Sequence, residues 1–123
     1  MQHRLIATSI PYMNAGPHIG FAMELTIADV LARYNRASGN DTFLITGADE
    51  HGTKIYNKAK ELGKGTLEML DEHVALFREL GEALSTTPDD FIRTTDQIRH
   101  WPTAQAIWKK LADNGDIYKK KYS

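Results

Sequence analysis

Ser9-Ile10-Pro11-Tyr12-Met13-Asn14-Ala15-Gly16-Pro17-His18-Ile19-Gly20-Phe21 decides how the rest of this 123-residue chain is read. An apolar run, Leu5 to Thr8, leads into it, and a segment of helical periodicity leaves it. Strand, irregular loop and helix start, in that order, are how α/β folds turn backbone N–H groups toward a phosphate. Pro17 suits a first helical turn, where its missing N–H has no partner to lose. Gly20 lacks a Cβ, so a flat or charged ligand can approach its backbone. His18 can set an imidazole against a phosphate oxygen or a ribose. The loop is a candidate nucleotide site, although an ordinary surface loop with a solvent-facing histidine accounts for the same residues.

The composition narrows the classes. Apolar residues at 41% and charged residues at 25% are those of an ordinary globular chain. The length suits one domain or part of a larger one. A formal net charge of -1 supplies no overall basic field to gather nucleic acid, which counts only weakly against RNA binding because the groups that hold RNA can lie in another segment. With no cysteine, neither disulfides nor thiolate metal sites can form, which agrees with a reducing cytosol. The N-terminal apolar run is too short for a secretory core. No stretch approaches the roughly 18 apolar residues of a membrane helix. The expectation is a cytoplasmic protein with no membrane partner.

Arg4 to Ile10 reads as a buried strand ending at Pro11. From His18 the spacing predicts a helix whose stripe Ile19, Met23, Ile27, Val30 and Tyr34 lies on a sheet, ending near Gly39. Thr42 to Thr46 is a second strand, nearly continuous in apolar character as a central parallel strand is, and broken by Gly47. Asp49-Glu50-His51-Gly52 follows at its carboxyl end. Ligands of open α/β sheets bind at that edge, so the two marked stretches face one crevice. Helices over 53–62 and 66–84 come next, the second capped by Thr66 with Leu67, Leu70, Val74, Phe77 and Leu84 inward. A short strand over 91–94 follows. A helical segment then restarts or kinks at Pro102 and buries Ala106, Ile107, Trp108 and Leu111. Residues 116–123 begin another extended segment. The predicted fold class is α/β, with parallel strands flanked by helices and no internal linker.

Asp49 is the carboxylate of most interest. At a strand end beside a nucleotide loop it can hold an ammonium group, a ribose hydroxyl or a metal, and it also suits a plain turn after Gly47. Three consecutive residues such as Asp-Glu-His rarely converge on one ion, and no HExxH spacing accompanies them, so no metal site is expected. Tyr12 suits an aromatic ligand wall or a core position behind the proline. His3, His73 and His100 read as solvated or locally hydrogen-bonded. No Ser-His-Asp or Cys-His arrangement suggests a covalent nucleophile.

Taken together, Pro11-Tyr12-x-Asn14-x-x-Pro17-His18-Ile19-Gly20, Ala28-Asp29-Val30-x-Ala32-Arg33-Tyr34 and Thr46-Gly47-x-Asp49-Glu50-His51-Gly52 resemble the opening of the methionyl-tRNA synthetases, a class I aminoacyl-tRNA synthetase family. Asp90-Phe91-Ile92-Arg93-Thr94-Thr95 and Gly115-Asp116-Ile117-Tyr118 are similar to its later blocks. The resemblance implies a Rossmann-like catalytic domain of which residues 1–123 are the N-terminal half. It implies a two-step ligation: methionine and ATP, with magnesium, give methionyl-adenylate, and the methionyl group passes to tRNA(Met). It implies an ATP site of Asn14, His18, Gly20, Phe21 and Glu24, with His18 and Phe21 at the catalytic positions. It implies a methionine site of Ser9, Ile10, Tyr12 and Asp49, the last holding the α-amino group.

Two departures accompany the resemblance. Phe21 stands where the signature has its second histidine, and a phenyl ring cannot donate to a phosphate. The family's second half is also lacking: the lysine-rich KMSKS-type loop, the zinc-bearing connective insertion and the helical anticodon-binding domain. No zinc is therefore expected in this segment, and the chain alone is expected to be inactive without the C-terminal half of the catalytic domain. A non-catalytic remnant and another HxGH-type nucleotidyl transferase stay open as alternatives.

Overall fold

Apolar runs and helical spacings alternate along the chain, and so do the elements they form. These are β1 (His3–Ala7), α1 (Ile19–Ala37), β2 (Asp41–Ala48), α2 (Thr53–Glu61), α3 (Thr66–Ala83), β3 (Asp90–Arg93) and α4 (Trp101–Asp113). The computed structural model describes residues 1–121. The strands form one parallel sheet in the order β1-β2-β3, with Leu5 opposite Phe43 and Thr46 opposite Phe91. This is the helix-flanked α/β architecture that the sequence predicts.

β2 is the central strand, and its alternate residues Thr42, Leu44, Thr46 and Ala48 are buried. Leu44 packs on Ala28 and Ala32 of α1, with Ile6 alongside. The larger core gathers Met13, Phe21, Leu25, Ile55, Met69, Leu70, Val74 and Phe77. Burying a side chain of this size contributes about 1.5–3 kcal/mol, so the loop after β1 is anchored through Met13, which is fully buried.

The inward face of α1 differs from the predicted one. Ile19, Met23, Ile27, Val30 and Tyr34 are each more than half exposed, and Phe21, Leu25, Ala28 and Ala32 face the sheet instead. The two stripes are offset by two residues and so lie on nearly opposite faces of the helix. The small residues Ala28 and Ala32 let α1 lie close over Leu44, where the bulkier stripe would hold it away.

β1 ends at Ala7 rather than Ile10, and as an edge strand it leaves Leu5 exposed. Gly47 continues β2 instead of breaking it, paired with Ile92, and a Cβ there would lie 2.3 Å from the Ile92 carbonyl oxygen of β3. The cap of α3 is Gly65, not Thr66, and the Gly65 N–H donates to the Glu68 carboxylate at 3.3 Å. Leu67 points outward. Pro102 sits in the first turn of α4, so the helix restarts there. None of the residues of α4 is buried, contrary to expectation. Trp101 pins the start of α4 by donating to the Thr94 carbonyl, while an open groove separates Ile107 and Trp108 from Ile45 and Ile92. Residues 116–121 form no regular element, and residues 122 and 123 of the predicted extended segment lie outside the described residues.

Polar contacts fasten α1 to the turn before β3. The buried Asp29 carboxylate accepts from the Thr87 N–H at 2.7 Å, the Thr87 hydroxyl at 2.8 Å and Arg33 Nε at 2.5 Å. Burial pushes this carboxyl up, but the bonds from Arg33 and Thr87 outweigh it and hold it below the usual carboxylate range. Arg36 reaches Asp89 at 2.6 Å, and the same Asp89 oxygen accepts from the Leu44 N–H at 2.7 Å. Helix, turn and central strand are thereby held in one arrangement.

Candidate functional site

Between Ala7 and Tyr12 the chain takes five steps where β2, from Ile45 to Asp49, takes four. The ladder closes on both sides of the excess residue. Thr8 N–H donates to the Ile45 carbonyl at 3.1 Å, Asp49 N–H to Pro11 at 2.9 Å and Met13 N–H to Asp49 at 3.0 Å. Ser9 and Ile10 are pushed out of the ladder, as at a β-bulge, which is why β1 ends early. The freed Ser9 groups turn to α1: its N–H donates to Glu24 Oε1 at 2.6 Å and its hydroxyl to Oε2 at 2.7 Å. Tyr12 and Asp49 pair across a parallel bridge, so the two predicted crevice stretches meet.

His18 is the N-cap of α1 rather than a residue of its first turn, and Pro17 precedes the cap. Its Nδ1 accepts from the Gly20 N–H at 3.1 Å. A backbone N–H only donates, so Nδ1 carries no proton and the neutral ring bears its hydrogen on Nε2. The ring therefore presents a donor away from the helix. Gly20 has a different reason for being glycine than the one expected: a Cβ there would lie 3.0 Å from both Cε1 and Nδ1 of His18, so its open side is filled by the imidazole.

A cavity of about 290 Å³ opens along this loop. All the sequence-marked residues line it except Ile10 and Asp49: Ser9, Tyr12, Asn14, His18, Gly20, Phe21 and Glu24, joined by Phe77. The Phe21 ring belongs mainly to the core. It is 3% exposed and meets Phe77 edge to face, with centroids 5.1 Å apart. A larger cavity of about 470 Å³ shares Phe21 and Phe77 but holds no other residue of the signature loop, so the smaller one is the better candidate.

The acidic block divides by side chain. The Asp49 carboxylate is half-buried. Glu50 is a structural residue: its fully buried carboxylate accepts from Arg93 Nε at 2.7 Å, the Thr95 N–H at 3.3 Å and the Thr95 hydroxyl. Arg93 continues to Asp71 at 2.6 Å. Burial pulls the Arg93 guanidinium down, but hydrogen bonds to Asp71 and Glu50 outweigh that and hold it above its ordinary range. His51 Nε2 lies 3.0 Å from the Thr94 carbonyl, the same oxygen that Trp101 reaches. Among the described residues no three His, Asp or Glu side chains converge as a metal site.

Sequence reasoning did not place Phe77 at this cavity, nor His73 against the loop that frames it. His73 Nδ1 lies 3.0 Å from the Met13 carbonyl and ties α3 to the signature loop. Its neighbour Val74 faces the core, which is the one local hint that His73 lies near the inward face. The Ser9–Glu24 clamp also carried no local signal, since it depends on the excess residue in the first strand.

A family model described as tRNA synthetases class I (M) matches residues 4–123. The methionine–tRNA ligase of Brucella suis is 43% identical over 118 residues, which is 96% of this chain and 23% of that protein. The Thermotoga maritima methionine–tRNA ligase is 45% identical over 117 residues, 95% of this chain and 18% of its own length. The fold is similar to that of Mycobacterium tuberculosis methionyl-tRNA synthetase solved in complex with methionyl-adenylate, with a TM-score of 0.95 and 36% identity, covering 100% of this chain and 24% of that one. The chain thus spans less than a quarter of the length of these relatives. No helix among the described residues is long and apolar enough to cross a membrane.

Proposed function

We propose, from the premise that this chain belongs to the family of class I tRNA synthetases (M), that it supplies the N-terminal half of a nucleotide-binding domain that ligates methionine to tRNA(Met). In the first step a methionine carboxylate oxygen attacks the α-phosphorus of ATP and pyrophosphate leaves. In the second the methionyl group passes from the adenylate to the terminal ribose of the tRNA. Magnesium would accompany the ATP phosphates.

The residues of this chain act by positioning and by stabilising charge. His18 donates Nε2–H to a phosphate oxygen, its orientation fixed by the bond between Nδ1 and Gly20. Asn14 and Gly20 border the nucleotide, and Phe21 gives it an apolar wall. Glu24 holds Ser9 beside the same cavity. Tyr12 and Ile10 flank the methionine side chain, and Asp49 accepts from its α-ammonium group, a buried charge that needs such a partner. The solution compartment is the cytoplasm.

The observation that carries this reading is the bridge between Tyr12 and Asp49 beside the cavity that His18 lines. The test is exchange of labelled pyrophosphate into ATP by the intact protein that carries this chain, since residues 1–123 alone are expected to be inactive. Methionine-dependent exchange is expected, and exchange indifferent to methionine would favour another HxGH-type transferase. The buried Phe21 favours a non-catalytic remnant, and that second reading would be supported by methionine binding with no exchange at all.

A further inference from the structure

Gly52 stands at φ +132°, a backbone conformation that L side chains rarely adopt. A Cβ at this position would lie 2.5 Å from the Tyr12 hydroxyl oxygen, 3.5 Å from Cζ and 3.7 Å from Cε2. The tip of the Tyr12 side chain thus rests on bare backbone at the cap of α2. The other end of the same residue is fixed by its bridge to Asp49. Gly47 also lies near Ile10, whose Cγ2 would be 3.1 Å from an added Cβ, although Ile92 stands closer there. Both glycines of the Thr46–Gly52 block therefore lie against side chains assigned above to methionine.

We propose that Gly52 is a positioning residue that sets where the Tyr12 ring stands in the amino-acid pocket. With no side chain at 52, the phenol settles over the start of α2. A methyl group there displaces the ring tip and reshapes the wall that the methionine side chain meets. This inference rests on the reading of Tyr12 as a methionine wall.

The test compares Gly52→Ala, Tyr12→Phe and the double substitution in the intact protein, by urea unfolding and by the KM values for methionine and ATP in pyrophosphate exchange. Tyr12→Phe removes the atom at 2.5 Å and leaves Cζ at 3.5 Å, an ordinary contact. The backbone strain of alanine at φ +132° is the same in both backgrounds, so the difference isolates the contact. Gly52→Ala is expected to raise the methionine KM about tenfold, given that a 1 Å misplacement can cost about a hundredfold. The ATP KM should stay within about twofold, an effect of less than about 0.5 kcal/mol. The double variant should recover most of the methionine KM and part of the urea midpoint.

Additive effects, or equal rises in both KM values, would overturn the inference. If Gly52→Ala does not fold and the double variant does, that rescue is the expected coupling. If neither folds, backbone conformation alone explains Gly52 and the inference fails. Absence of methionine-dependent exchange in the unsubstituted protein brings down the functional reading beneath it, whereas normal exchange with additive variants brings down this inference alone.

Discussion

Asp49 and Glu50 are adjacent carboxylates with opposite assignments, and substituting each in turn separates them. Glu50 has its side chain fully buried, with both oxygens engaged by Arg93 and Thr95. Breaking a buried pair by removing one partner costs about 3–5 kcal/mol. Arg93 is partly exposed and keeps Asp71, so the lower end applies: about 3 kcal/mol for Glu50→Ala. Glu50→Gln retains the shape and one acceptor and should cost about 2 kcal/mol, the scale of one lost charge-assisted hydrogen bond. Asp49→Asn preserves shape at a half-buried position and should stay within about 0.5 kcal/mol. With a urea slope of about 1–3 kcal/mol per molar, Glu50→Gln moves the unfolding midpoint down by about 1 M while Asp49→Asn leaves it nearly in place. Exchange assays should give the reverse order. Asp49→Asn raises the methionine KM about a hundredfold, equivalent to about 2.7 kcal/mol, with little change for ATP. Equal losses of stability in the two variants, or a methionine-specific defect in Glu50→Gln with its midpoint unmoved, would refute the division.

Substitutions at three other positions test the frame of the site. His18→Asn keeps a capping oxygen for the Gly20 N–H and should fold as the parent does, whereas His18→Ala should lose about 1 kcal/mol in urea unfolding; both should lose exchange about 10²–10³-fold. Asp29 titrates below the ordinary carboxylate range when folded, so its stabilisation is fully present above about pH 4 and is lost as pH falls. The stability gap between the parent and Asp29→Asn, followed by urea midpoints, should therefore narrow below about pH 4. Glu24→Ala should speed amide hydrogen exchange at Ser9, cost about 1 kcal/mol and impair methionine use, while Glu24→Gln, with an acceptor left for the N–H, should do less of each.

The order of elements and the meeting of the two marked stretches were legible because local chemistry encodes them. Apolar runs make the strands, while Gly39, Gly63 and Gly115, all at positive φ, close the helices where the sequence places them. The inward face of α1 was not legible, because the helix carries two apolar stripes. The bulkier one invites selection, but only the sheet surface at Leu44 decides for the alanines. The true end of β1 was hidden because it depends on comparing the lengths of two separate segments. The division between Asp49 and Glu50 needed Arg93 and Thr95, more than forty residues further on. His73 on Met13 is likewise a contact across sixty residues, with no periodicity to announce it.

The unequal spacing between the first two strands has a consequence for variation in length. Deleting Ile10 would bring the segments into step and give a more regular sheet, with Tyr12 still opposite Asp49. The shortened protein should fold at least as readily, yet Ser9 would return to inter-strand pairing and Glu24 would lose both of its donors. Here regularity and the site pull apart: the version that is the better sheet gives up the clamp between Ser9 and Glu24.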